Sequence, residues 1–413
     1  MNLSSSPQQA GGRGTVLFLT SSYPKDSEEP SGIFLHYLSR ELVALGWTIL
    51  VLAPNFPGGG TFEVMDGITI VRFTYFIPRW QKLCYRSGII PNLQRSPWLW
   101  MEVPSYFASM LWKARRILKG CSVDVICAHW ILPQGIVAAL LKGLHEVPLV
   151  VTAHGSDISN FNGRLGNGLK RFVLGRADSC SANSEYTRRQ IQWLLPQLPV
   201  DVIPMGVDLR QFRAGSNSDV RKSLRIDGEF LLFVGRLVKE KGPLYLLKAL
   251  PLVLERYPKA VLVLVGDGTQ RTELEHLVDE LGIGHAVRFL GRIPHQELAP
   301  YYTAADVFVG PSLVEGLGIV FLEAASSGLP IIGSRVGGVS DILIDGVTGI
   351  EVEPASSEQL AEAIIRVLSD SKLGAILARN ARHHVEERFS WKQVAFRFDL
   401  LLYETMQRKT KHS

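Results

Sequence analysis

The sequence predicts an α/β protein of two doubly wound domains facing a cleft. Three observations lead there. Short apolar runs that read as buried parallel strands alternate with stretches of helical periodicity, in two successive series. Each series carries glycine-bearing loops directly after its strands, at the edge where an open α/β sheet gathers its ligand. The length of 413 residues exceeds what one hydrophobic core ordinarily supports. The spans are 15–207 for the first domain and 208–388 for the second, with a terminal helix over 389–413. Residues 1–14 are polar and Gly/Ser-rich, without the apolar centre of a signal peptide, and read as a disordered leader.

In the first series, Thr15–Thr20 is a strand, and apolar residues recur at helical spacing from Phe34 to Leu45. The intervening Pro30-Ser31-Gly32 makes this either an anion-binding βα loop or a plain turn. Strands follow at Trp47–Pro54, Ile68–Phe73, Val123–Ala128 and Leu149–Ala153. The last delivers His154-Gly155-Ser156-Asp157 to the carboxyl edge, where His154 either faces the cleft or is a buried histidine satisfied by backbone. His129 closes the preceding strand and is a second, acceptor-side candidate. Ala177–Ala182 is a strand, after which Asn183-Ser184 caps a helix beginning near Glu185. The polar stretch Arg213–Ser218 reads as the linker.

The second series opens with strand Phe230–Val234, which ends in Gly235-Arg236 and reaches Lys241-Gly242. Two cations five residues apart at a strand's carboxyl end either clamp a diphosphate or lie on a solvated surface loop. Strands at Ala260–Val265 and Val287–Leu290 precede Gly291-Arg292-Ile293-Pro294, and a helix is expected over His295–Ala304. After strand Asp306–Val309, the stretch Pro311–Pro330 sets Glu315 and Glu323 around a Gly316-Leu317-Gly318 turn that runs into an apolar helix. A carboxylate directed at a core must be hydrogen-bonded, so both need polar partners. A helix starting near Gly318 presents unpaired amides and a positive dipole end to an anion, with Glu323 about 8 Å further along the axis. The final helix, Trp391–Met406, carries Val394, Phe398, Leu401 and Leu402 on one face.

Charged residues make up 20% of the chain and apolar ones 46%, as in an ordinary globular protein, and no apolar run is long enough to span a bilayer. Cys84, Cys121, Cys127 and Cys180 have no metal-binding spacing, which points to a reducing cytoplasm. The net charge of +5 sits in the first half, and Arg72–Lys119 sets nine basic residues against Glu102 alone. Ten aromatics are interleaved with them. That mixture suits an anionic membrane surface, or a helical hairpin that buries its rings; nucleic acid is disfavoured for want of a binding motif.

Glu315 and Glu323, with the Gly-rich turn between them, resemble the Glu-x7-Glu signature of the retaining "group 1" nucleotide-sugar glycosyltransferases, whose GT-B fold pairs two Rossmann-like domains. The resemblance runs from about Thr15 to Tyr403, although Met205 replaces the usual Asn before Gly206-Val207-Asp208, and Ser31 the first of two usual glycines. It implies a nucleotide-diphosphate sugar as donor and a glycan or lipid-linked acceptor, with no cofactor and no metal. By the same resemblance, His154 contacts the donor sugar, while Arg236 and Lys241 neutralise the leaving diphosphate. Glu315, Gly316, Leu317, Gly318, Ile319 and Val320 line the sugar and phosphates. Glu323 takes the ribose, Arg292 and Ile293 the nucleobase, and Gly32 approaches the donor phosphate or acceptor. The terminal helix would cross back onto the first domain. An epimerase of the same fold and a non-catalytic nucleotide-sugar-binding protein are the alternatives.

Overall fold

A computed structural model gives the fold and describes residues 12–25, 32–56, 58–84, 88–215 and 217–410. The expected leader up to Gly11, the Pro30-Ser31 turn, and Tyr85 and Arg86 of the aromatic and basic segment lie outside these. The chain forms two compact units, one running up to Ile203 and resuming at Val394, the other from Pro204 to Gln393.

The first unit is built on β1 (Gly14–Leu19), β2 (Trp47–Pro54), β3 (Phe62–Met65), β4 (Ile68–Phe73), β5 (Val125–His129), β6 (Leu149–Ala153), β7 (Ser179–Ala182) and β8 (Val200–Val202). Their order in the sheet is β3-β4-β2-β1-β5-β6-β7-β8. β1, β2, β5 and β6 are almost entirely buried, as continuous apolar strands covered on both faces must be. β3 is the exception: it pairs antiparallel with β4 at the sheet edge and buries none of its residues. Without an apolar run it left no sign in the sequence.

The segment 72–119 proves partly core. Arg72 is buried, donates to Glu63 at 2.7 Å and reaches the carbonyls of Tyr23 and Pro24. Phe73 and Tyr75 each pack against the ring of Tyr106 at a centroid distance of 5.4 Å. Glu102 is buried and accepts the amides of Lys82 and Leu83 at 3.2 and 3.0 Å. Trp80, Trp98, Trp100, Met101 and Trp112 instead face outward.

The terminal helix Trp391–Thr410 belongs to this unit from Val394 onward. Val394, Phe398, Leu401 and Leu402 are buried along it. Asp399, also buried, accepts the Trp47 indole N–H at 2.8 Å and pairs with Arg13 at 3.3 Å.

In the second unit β9 (Phe230–Val234), β10 (Val261–Val265), β11 (Val287–Gly291), β12 (Val307–Gly310), β13 (Ile331–Ser334) and β14 (Ile350–Val352) form a parallel sheet ordered β11-β10-β9-β12-β13-β14. Phe212 is buried against His295 and Tyr302, so the passage between units precedes the polar Arg213–Ser218 stretch. The helix read over His295–Ala304 is broken into a 3-10 turn, His295–Glu297, and a helix Ala299–Ala304. Pro300 sits in the first turn of that helix, where a residue without an N–H is best tolerated, which fits a new helix starting there.

Candidate active site

In the second unit the loops after β9, β12 and β13 meet. The carbonyl of Glu240 accepts the amides of Leu313 and Val314 at 2.8 and 3.2 Å, tying the first two together. The third approaches at Gly337, where any Cβ would collide with the Glu315 carbonyl, and the Gly338 amide donates to that same oxygen at 3.2 Å. On this scaffold the Lys241 ammonium forms an ion pair with Glu315 Oε2, while Oε1 accepts the Gly316 amide at 3.2 Å. Lys241 and Glu315 thus meet directly, which their separate places in the sequence did not announce.

Gly318 has φ 88°, a left-handed conformation that suits glycine, and turns the chain into the helix Ile319–Ser326. Its first-turn amides at Ile319 and Val320 precede the earliest intrahelical bond, which runs from the Phe321 amide to the Gly318 carbonyl. Leu317 is buried beneath the turn. Arg236 and Arg292 are exposed and take no side-chain partner among the described residues, whereas Ile293 is half-buried.

Glu323 is only 2% exposed and satisfies both oxygens within the unit. His295 Nε2 lies 2.7 Å from Oε1, and the Tyr302 hydroxyl donates to Oε2 at 2.8 Å. Burial alone would lower the His295 pKa, but the hydrogen bond and charge of Glu323, with Asp208 beyond, outweigh it and leave it raised. Burial and the same carboxylate push Tyr302 well above its ordinary value. Neither His295 nor Tyr302 stands out in the sequence; the signal was the requirement that a carboxylate in an apolar helix have polar partners.

In the first unit, Gly32 (φ 79°) opens the helix Ile33–Ala44 directly against the Ser22 carbonyl, where a Cβ would sit 2.5 Å from the oxygen. Phe34, two residues on, touches the His154 ring at 5.2 Å. His154 stands at the end of β6, its amide accepted by Asp157 Oδ1 at 3.0 Å and its carbonyl held by Asn183. Asp157 Oδ2 also takes the Ile131 amide at 2.7 Å, so this carboxylate fixes the ends of β5 and β6 together. Buried Lys170 latches the following loop by donating to the Ile158 carbonyl at 2.6 Å.

His154 Nε2 lies 3.2 Å from His129 Nδ1. Burial holds the His154 pKa down at about 3, and burial together with His154 puts His129 well below its usual range. Both rings are neutral at ordinary pH, so His154 can exchange hydrogen bonds but brings no positive charge. His129 is fully buried between Phe18 and Phe398 and supports His154 rather than meeting an acceptor.

Residues 216–384 match the family described as Glycosyl transferases group 1, and residues 31–211 match Glycosyltransferase Family 4. An uncharacterized glycosyltransferase of Methanocaldococcus jannaschii is 34% identical over 347 residues, covering 79% of this chain and 87% of that protein. The chain belongs to the group 1 glycosyltransferases. A D-inositol 3-phosphate glycosyltransferase of Corynebacterium urealyticum is 32% identical, covering 88% of each chain. Among solved structures, sucrose-phosphate synthase from Thermosynechococcus elongatus superposes with a TM-score of 0.77 at 25% identity, over 96% of this chain and 100% of that one. Anabaena HepE in complex with UDP-glucose gives a TM-score of 0.71 at 23% identity, over 96% and 100%. The two parallel-sheet units of this glycosyltransferase are those of the GT-B fold.

Proposed function

We propose that the enzyme is a retaining hexosyltransferase that moves a hexosyl unit from a nucleotide-diphosphate sugar to a hydroxyl of a glycan or lipid-linked acceptor without a metal. One arrangement carries the reading: Lys241 paired with Glu315 beside the helix start at Gly318. When the anomeric bond breaks, negative charge gathers on the diphosphate. Arg236, Lys241 and the amides of Ile319 and Val320 take up that charge. Glu315 and the Gly316–Gly318 backbone hold the sugar hydroxyls, and the spare lone pairs of Glu323 take the ribose. The leaving phosphate removes the acceptor proton on the face it departs from, which retains configuration and requires no enzymic nucleophile. A uridine nucleotide is the favoured donor class, supported by the UDP-glucose named with the HepE fold relative.

The outward tryptophans Trp80, Trp98, Trp100 and Trp112 lie among basic residues, with Lys82 near Trp98 and Arg116 over Trp112 at 5.0 Å. They suit docking of residues 72–119 on the anionic cytoplasmic face of a membrane. Among the described residues no helix is long and apolar enough to cross one.

The test is incubation of the purified chain with UDP-, GDP- and ADP-glucose, with and without acceptor sugars, reading the product anomer by NMR. An α-linked product from an α-linked donor is expected. An inverted product overturns retention, and conversion of the donor into an isomeric sugar nucleotide without acceptor would favour an epimerase.

A further inference from the structure

Trp130 follows β5 at the carboxyl edge of the first unit's sheet, and its φ of 76° lies in the left-handed region. A bulky side chain is strained there and persists only where its surroundings over-determine it. Here they do. The Trp130 amide donates to the Thr152 carbonyl of β6 at 2.9 Å, and the next amide, of Ile131, is fixed by Asp157 at 2.7 Å. Asp157 also holds His154, so one buried carboxylate sets the position of both rings.

The outcome is an aromatic corner. The half-buried indole lies 4.8 Å from the His154 ring and 6.0 Å from that of Phe34, which meets it edge-on at 73°. The indole N–H has no hydrogen-bond partner among the described residues, and neither has His154 Nδ1, since Nε2 faces His129. All three rings are uncharged, which sets this corner apart from the cationic groups Arg236, Lys241 and Arg292 of the second unit. An apolar ring face with two spare polar atoms matches a carbohydrate, whose C–H face stacks while its rim hydroxyls seek partners. A phosphate finds no cation among these three rings.

We propose that Trp130 is the stacking platform for the acceptor's sugar ring, with the indole N–H donating to one of its hydroxyls. This rests on the glycosyltransferase reading above. The left-handed backbone at Trp130 and the fixed amides around it hold the ring beside His154.

The experiment compares Trp130→Phe and Trp130→Gly with the wild-type chain, using UDP-, GDP- and ADP-glucose as donors and maltose and octyl β-D-glucoside as acceptors. Glycine accepts the left-handed backbone, and phenylalanine keeps a stacking face. The expected result is an acceptor KM raised about tenfold or more in Trp130→Gly and only a few-fold in Trp130→Phe, with donor KM and acceptor-independent donor hydrolysis unchanged. An unchanged acceptor KM overturns the proposal, as does a donor KM that rises in parallel. A rise seen with octyl β-D-glucoside but not with maltose also overturns it, because the ring would then hold the alkyl chain. A wild-type chain that hydrolyses a donor but transfers to neither sugar counts against the platform. One that engages no donor removes the glycosyltransferase reading beneath it.

Discussion

Lys241 and Glu315 lie 74 residues apart and form an ion pair that locks the loop after β9 to the loop after β12. The pair is largely shielded, the side chains being 22% and 11% exposed. Removing one partner strands the other charge, so the two residues act as a unit. Lys241→Ala is expected to lower kcat for transfer by roughly 10²–10³, the scale set by losing one group that stabilises developing negative charge. Circular dichroism should remain that of the wild type. Activity within a few-fold of wild type would remove the diphosphate clamp from the mechanism.

Glu323 answers to His295 and Tyr302. Because the folded-state pKa of His295 is raised, its pairing stabilises the protein fully below the unfolded value of about 6.5 and fades as pH climbs through the raised value. Glu323→Gln should lose this contribution. Denaturant unfolding at pH 6 and pH 8 should show the wild-type advantage over the variant shrinking at the higher pH. An advantage independent of pH would mean that His295 is neutral in the folded state.

His154 works in the opposite sense. Burial depresses its pKa to about 3, so below about 6.5 the unfolded chain takes up a proton that the folded chain refuses. Stability should therefore fall as pH drops from 6.5 toward 3. His154→Asn should narrow the difference in Tm between pH 7.5 and pH 4.5, and an unchanged difference would refute the neutral buried imidazole.

Phe398 stacks on His129 at 6.1 Å with a 12° interplanar angle and meets Phe18 edge-on at 6.2 Å. Phe398→Ala should cost about 3–5 kcal/mol by calorimetry or denaturant unfolding, the usual range for an emptied buried ring. A loss below 1 kcal/mol would show that the terminal helix contributes little to the first unit.

The outward tryptophans give a separable test. Replacing Trp98, Trp100 and Trp112 by Ala together should reduce flotation with anionic vesicles several-fold while leaving transfer to a soluble sugar intact. Equal flotation would sink membrane docking through this surface.

The two α/β series were legible in the residues alone, because buried parallel strands must be apolar on both faces and the chain has nowhere else to put such runs. The glycine-bearing turns at Gly32 and Gly318 and the apolar face of the terminal helix were legible too. Which residues become partners came from the assembled fold. β3 pairs at an edge that demands no apolar pattern, while buried Arg72 is paired with Glu63, 9 residues away, and buried Glu102 accepts backbone amides 19–20 residues away. The Glu315 and Glu323 carboxylates had to have partners. That these are Lys241, and His295 with Tyr302, follows from loops converging at one end of a sheet, a consequence of topology that no local pattern records.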